Sequence, residues 1–168
     1  MLPDLQSILE ALTGQGVEFL IIGGMAAVAQ GAPVITFDLD ICYRRSRENH
    51  ERLVAALKSF QPALRTPSGT IAFGWDARTL ERGCNFTLST MAGDLDLLGE
   101  LTEGAKYEDL LPGSRSLELF GHPARVMGLQ DRIRAKEALR RPKDMAVLEI
   151  LRETLRLQEE GTAEDRRN

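Results

Sequence analysis

The chain predicts an α/β (α+β) protein, a mixed β-sheet flanked by helices with two further helices at its C-terminal end. Three observations carry this. Short apolar runs alternate with segments whose apolar residues recur at i, i+3, i+4 and i+7. Residues 19–43, FLIIGGMAAVAQGAPVITFDLDICY, hold two apolar runs separated by Gly23-Gly24 and a short Ala-rich segment. The last forty residues carry helical periodicity broken once, at Pro142.

Leu5, Ile8, Leu9 and Leu12 share one helix face, Pro3 suits the first turn, and Gly14 and Gly16 suit the end. A strand over Glu18–Ile22 leads to Gly23-Gly24 and a short helix over Met25–Gln30, closed by Gly31. The second strand spans Asp38–Tyr43. Ser46 is a candidate N-cap for a helix reaching about Phe60, with Leu53, Val54, Leu57 and Phe60 on one face. The stretch from Gln61 to Gly83 is the hardest to read, with a strand over Thr70–Trp75 and a short helix after Asp76. Asn85–Ser89 and Asp94–Leu98 read as strands around a turn at Met91–Gly93. Leu117–Phe120 and Ala124–Met127 flank Gly121-His122-Pro123 as a hairpin. Helices over Leu129 to about Arg140 and Lys143 to about Gln158 close the chain. Residues 1–158 are therefore expected to form one domain, and 159–168 a polar, disordered tail.

At 168 residues the chain is long enough for one real core, and 43% hydrophobic with 27% charged residues is a globular composition. A net charge of −4 argues against a general nucleic-acid-binding surface. No window is apolar enough to span a membrane, and MLPDLQSILEAL lacks a basic n-region, so a cytoplasmic location is expected. Cys42 and Cys84 have no metal-type spacing and read as free thiols. His50 and His122 lie near no Ser or Cys motif and read as structural or surface residues.

The second strand is unusual. Alternation puts Asp38, Asp40 and Cys42 on one face and Phe37, Leu39, Ile41 and Tyr43, expected to be buried, on the other. Two like charges a few ångströms apart repel by about 4 kcal/mol at an effective dielectric near 20. That cost implies that a cation belongs there. Asp94 and Asp96 share one face of a later strand in the same manner.

A Gly-Gly turn after a strand, followed by a hydrophobic–Asp–hydrophobic–Asp–hydrophobic strand, resembles the nucleotidyltransferase (polymerase-beta-like) superfamily. GGMAAVAQG…TFDLDI is similar to its small prokaryotic branch of AbiEii-type toxins, and the likeness extends to Gly93–Leu98 and Leu129–Leu151. The resemblance implies a metal-dependent enzyme that moves a nucleoside monophosphate from an NTP to a hydroxyl. Asp38 and Asp40 match the metal-binding pair. Asp96 is the choice for the third carboxylate, both metal ligand and aid to deprotonation, with Asp94 the fallback. Two Mg²⁺ ions are implied, with Mn²⁺ an alternative. Gly23 and Gly24 would let backbone approach the triphosphate. Lys136 or Lys143, in a segment resembling the family's Lys…Arg-x-Lys-Asp tail, would reach phosphates, or else form a solvated face.

Arg44 and Arg45 could meet phosphates, and Phe73 or Trp75 could stack a base, although solvated and core roles respectively are the commoner ones. Met25 stands where relatives carry Ser, and Val34 where they carry Arg. The acceptor implied is a protein or RNA first, in a toxin–antitoxin setting, and a small molecule such as an antibiotic second. A partner protein or homodimer could complete the site. The alternative is a catalytically inactive nucleotidyltransferase-like binding module. A phosphatase built on Asp38-x-Asp40 is disfavoured by Cys42, where that motif wants Thr or Val.

Overall fold

The computed structural model describes residues 3–166. Asp4 accepts a hydrogen bond from Ser7 N at 3.1 Å and starts α1 (Leu5–Gly14), which buries Leu5, Ile8, Leu9 and Leu12. β1 (Phe19–Ile21) leads directly into α2 (Gly23–Ala29), so the glycine pair opens the helix instead of forming a separate turn before Met25. After a loop comes β2 (Leu39–Tyr43), which starts one residue later than expected. Ser46 caps α3 (Arg47–Leu57) by accepting from Asn49 N at 3.2 Å. The buried Asn49 side chain then receives Glu18 N–H at 2.8 Å and donates to the carbonyls of Glu18 and Arg44, fixing α3 against β1 and β2.

The stretch that the sequence left obscure holds a hairpin, β3 (Ala63–Thr66) and β4 (Gly69–Ile71), and α4 (Ala77–Arg82) capped by Asp76. The expected strand over Thr70–Trp75 therefore shrinks to three residues. Phe73 and Trp75 leave it and pack edge to face, with centroids 5.9 Å apart. Trp75 Nε1 donates to the Val54 carbonyl at 3.1 Å, and both half-buried aromatics pack against the main core. β5 (Asn85–Thr90) and β6 (Gly93–Leu98) match their expected places. A four-residue α5 (Tyr107–Leu110) was not expected. β7 (Arg115–Leu119) and β8 (His122–Val126) turn at Phe120-Gly121, both with positive φ, which matches a two-residue hairpin of primed type.

The eight strands form one mixed sheet in the order β4-β3-β5-β6-β2-β1-β8-β7. β2 runs parallel to β6 and antiparallel to β1, while β1 runs parallel to β8. Leu39 and Ile41 of β2, Leu95 and Leu97 of β6, and Leu20 and Ile21 of β1 enter the main core beside α1 and α3. A smaller core joins Ala27 and Ala32 to Leu129, Ile133, Leu148 and Leu151 of the C-terminal pair, α6 (Leu129–Leu139) and α7 (Pro142–Asp165). Pro142 starts α7, where its missing N–H costs nothing.

Two expectations are corrected. Residues 159–165 are not a disordered tail but the last turns of α7; residues 167 and 168 lie outside the described residues. Arg156 ties these turns together by pairing with both Glu153 and Glu160 at helical spacing. Phe37 is 67% exposed, because it lies in the loop before β2 and strand alternation does not reach it. No described helix is long and apolar enough to cross a membrane.

Candidate active site

Pairing of β2 with β6 decides which carboxylates meet. Asp40 is the direct register partner of Asp96, flanked by Leu39↔Leu95 and Ile41↔Leu97, whose side chains face the core. Asp40 and Asp96 thus stand side by side on the opposite face. Asp38 lies just before the strand, where its Oδ1 accepts from Thr36 Oγ1 at 2.9 Å. Asp94 is displaced by two residues along β6 and accepts from Ser89 Oγ at 3.1 Å.

The glycine pair fits against these carboxylates from the N-terminus of α2. Gly23 has φ +62°, and a Cβ there would lie 1.8 Å from Asp40 Oδ2. A Cβ on Gly24 would lie 2.7 Å from both Cβ and Oγ1 of Thr36, the residue that holds Asp38. Any side chain at either position would displace a carboxylate or its support. Gly24→Ala is expected to lower the melting temperature by a few degrees through its push on the stiff Thr36 side chain, a shift readable by calorimetry.

The electrostatics follow from this crowding. Burial, then the charges of Asp38 and Asp96, push the Asp40 carboxyl up to about 6. Arg132 and Arg65 oppose that rise without cancelling it. Burial also raises Asp96, against the pull of Arg65. Arg65, on the unanticipated strand β3, reaches across β5 to pair with Asp94 and, at 2.9 Å, with Asp96. It stands where a cation is needed. Among the described residues no three His, Cys, Asp or Glu side chains are arranged to hold a metal ion, and Arg65 accounts for part of this by drawing Asp96 to itself.

The donor set still fits Mg²⁺. It consists of carboxylate oxygens from adjacent strands, and Gly23, lacking a Cβ, lets the Asp40 carboxylate sit against the start of α2. Arg65→Met is expected to melt lower than the parent protein in EDTA, because two carboxylates lose their counter-charge. Added Mg²⁺ should then restore more stability to the variant than it gives the parent. Equal Mg²⁺ responses in parallel thermal melts would show that Arg65 does not compete for the site.

Asp40, Asp96 and Gly23 line a cavity of about 250 Å³ with Arg132, Lys136 and Arg141. Lys136 is at the site but not free. Its Nζ donates to Asp144 Oδ1 at 2.7 Å while Arg141 Nε donates to Oδ2 at 2.9 Å. Asp144 is 3% exposed, and hydrogen bonds from the Lys136 ammonium, then from the Arg141 guanidinium, hold its carboxyl below the usual carboxylate range. This triad locks α6 to α7. Asp144→Asn should destabilise the protein at neutral pH, with the difference from the parent starting to shrink only as pH falls below about 4 and vanishing below the lowered folded value of Asp144. Lys143 is exposed and takes no part.

Other candidates resolve as structural. Arg44 pairs with Glu18 and Glu108, and Arg45 donates to the carbonyls of Glu81 and Gly83. Cys42 and Cys84 are free; burial pushes the Cys42 thiol up to about 12. Burial lowers His50, which packs on Tyr43, and His122 contacts Glu10. Met25 packs on the main core and Val34 on the smaller one, so both apolar replacements have a packing role. A larger cavity of about 600 Å³ lies between α6 and α7 near Arg115 and lacks all three candidate aspartates. Arg65 and Arg132 were not singled out in the sequence. No local signal marks either of them.

No family model and no curated protein matches the sequence at a significant level. Among solved structures, the fold is similar to the crystal structure of a candidate nucleotidyltransferase, TM1012 of Thermotoga maritima. The TM-score is 0.55 at 20% identity, over 90% of each chain. The solution structure of the antibiotic-resistance factor ANT(2'')-Ia aligns at TM-score 0.49 and 16% identity, over 97% of this chain and 95% of that one. With eight strands in one mixed sheet and two closing helices, the chain has the nucleotidyltransferase fold shared with the Thermotoga maritima protein.

Proposed function

We propose that the protein is a metal-dependent nucleotidyltransferase that moves a nucleoside monophosphate from an NTP to an acceptor hydroxyl. The observation that carries this reading is the Asp40↔Asp96 register pair, packed beside a glycine that leaves no side chain between carboxylate and cavity. In the reaction the acceptor oxygen forms a bond to the α-phosphorus, the bond to the β-phosphate bridging oxygen breaks, and pyrophosphate leaves. The hydroxyl proton goes to a carboxylate.

Asp38, Asp40 and Asp96 would hold Mg²⁺, or Mn²⁺, which when bound supplies charge neutralisation for the phosphoryl oxygens. Asp96 is the proposed base, as the position matching the family's third carboxylate; it stands beside Asp40 across the β2–β6 pairing, and burial raises its carboxyl above the ordinary value. Thr36 orients Asp38 through the 2.9 Å hydrogen bond. Gly23 lines the cavity without a side chain, and Gly24 leaves room for Thr36. At about 250 Å³ the cavity falls below the roughly 300–1,000 Å³ of a typical small-molecule site, so it suits the polyphosphate and leaves nucleoside and acceptor outside.

An open outer side suits a large acceptor, so a protein or RNA hydroxyl is proposed first, in a toxin–antitoxin setting as in the AbiEii-type branch. A small molecule such as an antibiotic is the competing outcome. One observation favours the second reading, an inactive binding module: Arg65 already satisfies Asp94 and Asp96. Thermal melts separate the two. Mg²⁺ with each NTP in turn should raise the melting temperature of the parent and leave that of Asp38→Asn unchanged. An equal response in both proteins would remove the active-enzyme reading.

A further inference from the structure

Every charged side chain lining the Asp40 cavity has an assignable partner or a proposed metal-binding role, except Glu103 at its edge and Arg132. Lys136 and Arg141 share Asp144, and Asp96 is held by Arg65. Arg132 projects from α6 into this wall and forms no ion pair among the described residues. Its Nε is buried with no hydrogen-bond partner. The side chain as a whole is half-buried, but a guanidinium nitrogen removed from water without a partner is costly, and packing alone would be served as well by an apolar side chain. Asp40 is near enough for its charge to act on Arg132, but the two do not form an ion pair, and Asp40 stays raised despite Arg132.

We infer that Arg132 binds the polyphosphate of the nucleotide, as the cation of this cavity that is kept unpaired for an anionic ligand. Arginine suits the task because its planar fork of donors matches phosphate oxygens two at a time. Lys136 and Arg141 have their donors engaged by Asp144, and although the triad keeps one net positive charge, they shape the wall and contribute less. The residue is thus a binding group, and its cost to the ligand-free fold is the counterpart of its use. The inference rests on the nucleotide reading of this cavity.

The test uses the full chain in EDTA with inorganic tripolyphosphate as the probe, by calorimetric titration and thermal melts. Arg132→Met is expected to melt at or above the parent without ligand, because an unpaired charge with a buried, unpartnered Nε is gone. It should bind tripolyphosphate about ten-fold or more weakly, with Arg132→Lys in between and exposed Lys143→Ala like the parent. Tripolyphosphate binding by Arg132→Met equal to the parent's overturns the inference, as does a parent that does not bind the probe. A variant that melts lower yet binds equally makes Arg132 a structural cation, which also overturns it. Label transfer with an unchanged KM for NTP in Arg132→Met sinks this inference alone. Intact tripolyphosphate binding without any nucleotidyl transfer sinks the enzymatic reading alone.

Discussion

Asp40→Asn is expected to melt several degrees above the parent protein in EDTA at about pH 8, with the gap closing towards pH 4. Burial, then Asp38 and Asp96, hold the folded carboxyl at about 6, against 3.8 for the ordinary group. Between those values the folded state keeps a proton that the unfolded chain releases. Ionisation therefore costs nothing below the lower value, costs progressively more through the interval, and costs its full amount above the higher one. Two pK units at about 1.36 kcal/mol each set an upper limit of roughly 3 kcal/mol. In a chain of 168 residues that is on the order of 5 °C. With Mg²⁺ and NTP present the order should reverse, because ligand binding stabilises only the protein that binds it, by about 4.1 kcal/mol at a thousand-fold excess over Kd. A variant that melts below the parent at pH 8 in EDTA would contradict the description of Asp40 as a crowded, poorly compensated anion.

Gly23→Ala is expected to produce the largest loss from the smallest change. Its φ of +62° is left-handed, which costs an alanine about 1 kcal/mol, and the added methyl would lie 1.8 Å from Asp40 Oδ2 and 2.7 Å from Asp40 Cγ. The Asp40 side chain must rotate away, so the site loses its register with Asp96. A total cost of roughly 2–4 kcal/mol lowers the melting temperature by about 5–10 °C and removes the Mg²⁺–NTP response. A double-mutant cycle isolates the steric part. Asp40→Ala deletes the two nearest atoms, so the pair of substitutions should cost less than the sum of the single ones. Strict additivity would mean that Gly23 and Asp40 do not touch.

The contrast between these residues and the ones found late shows what was legible in the chain. Asp38, Asp40 and the glycines stood out because two carboxylates on an apolar strand after Gly-Gly violate the usual logic of burial. The preference for Asp96 over Asp94 fits the pairing, in which Asp96 and not Asp94 faces Asp40. Register is a tertiary property, so the sequence alone could not separate them. Arg65 was hidden for the same reason. It sits on a short, half-exposed hairpin whose side chains show no strong alternation, and its partners lie 29 and 31 residues away. Arg132 and Asp144 lie on helices whose charged residues resemble an ordinary solvated face, until the packing of α6 on α7 buries Asp144 and half-buries Arg132. The extension of α7 past Gln158 depends on Arg156 pairing along the helix, a gain too small to outweigh the polar composition of 159–165 on sequence grounds. Phe37 was misplaced because alternation was carried one turn too far into a loop.

Transfer of label from α-labelled NTPs is the most direct test of the central claim, that the Asp40–Asp96 site performs nucleotidyl transfer. Each of the NTPs is incubated with Mg²⁺, a cell lysate and either the parent protein or Asp40→Asn, and covalent label is followed in the protein, RNA and small-molecule fractions. The account predicts label in one fraction with the parent and at least about a hundred-fold less with Asp40→Asn, a barrier difference near 3 kcal/mol. No label with the parent for any NTP, or equal label with both proteins, would contradict it.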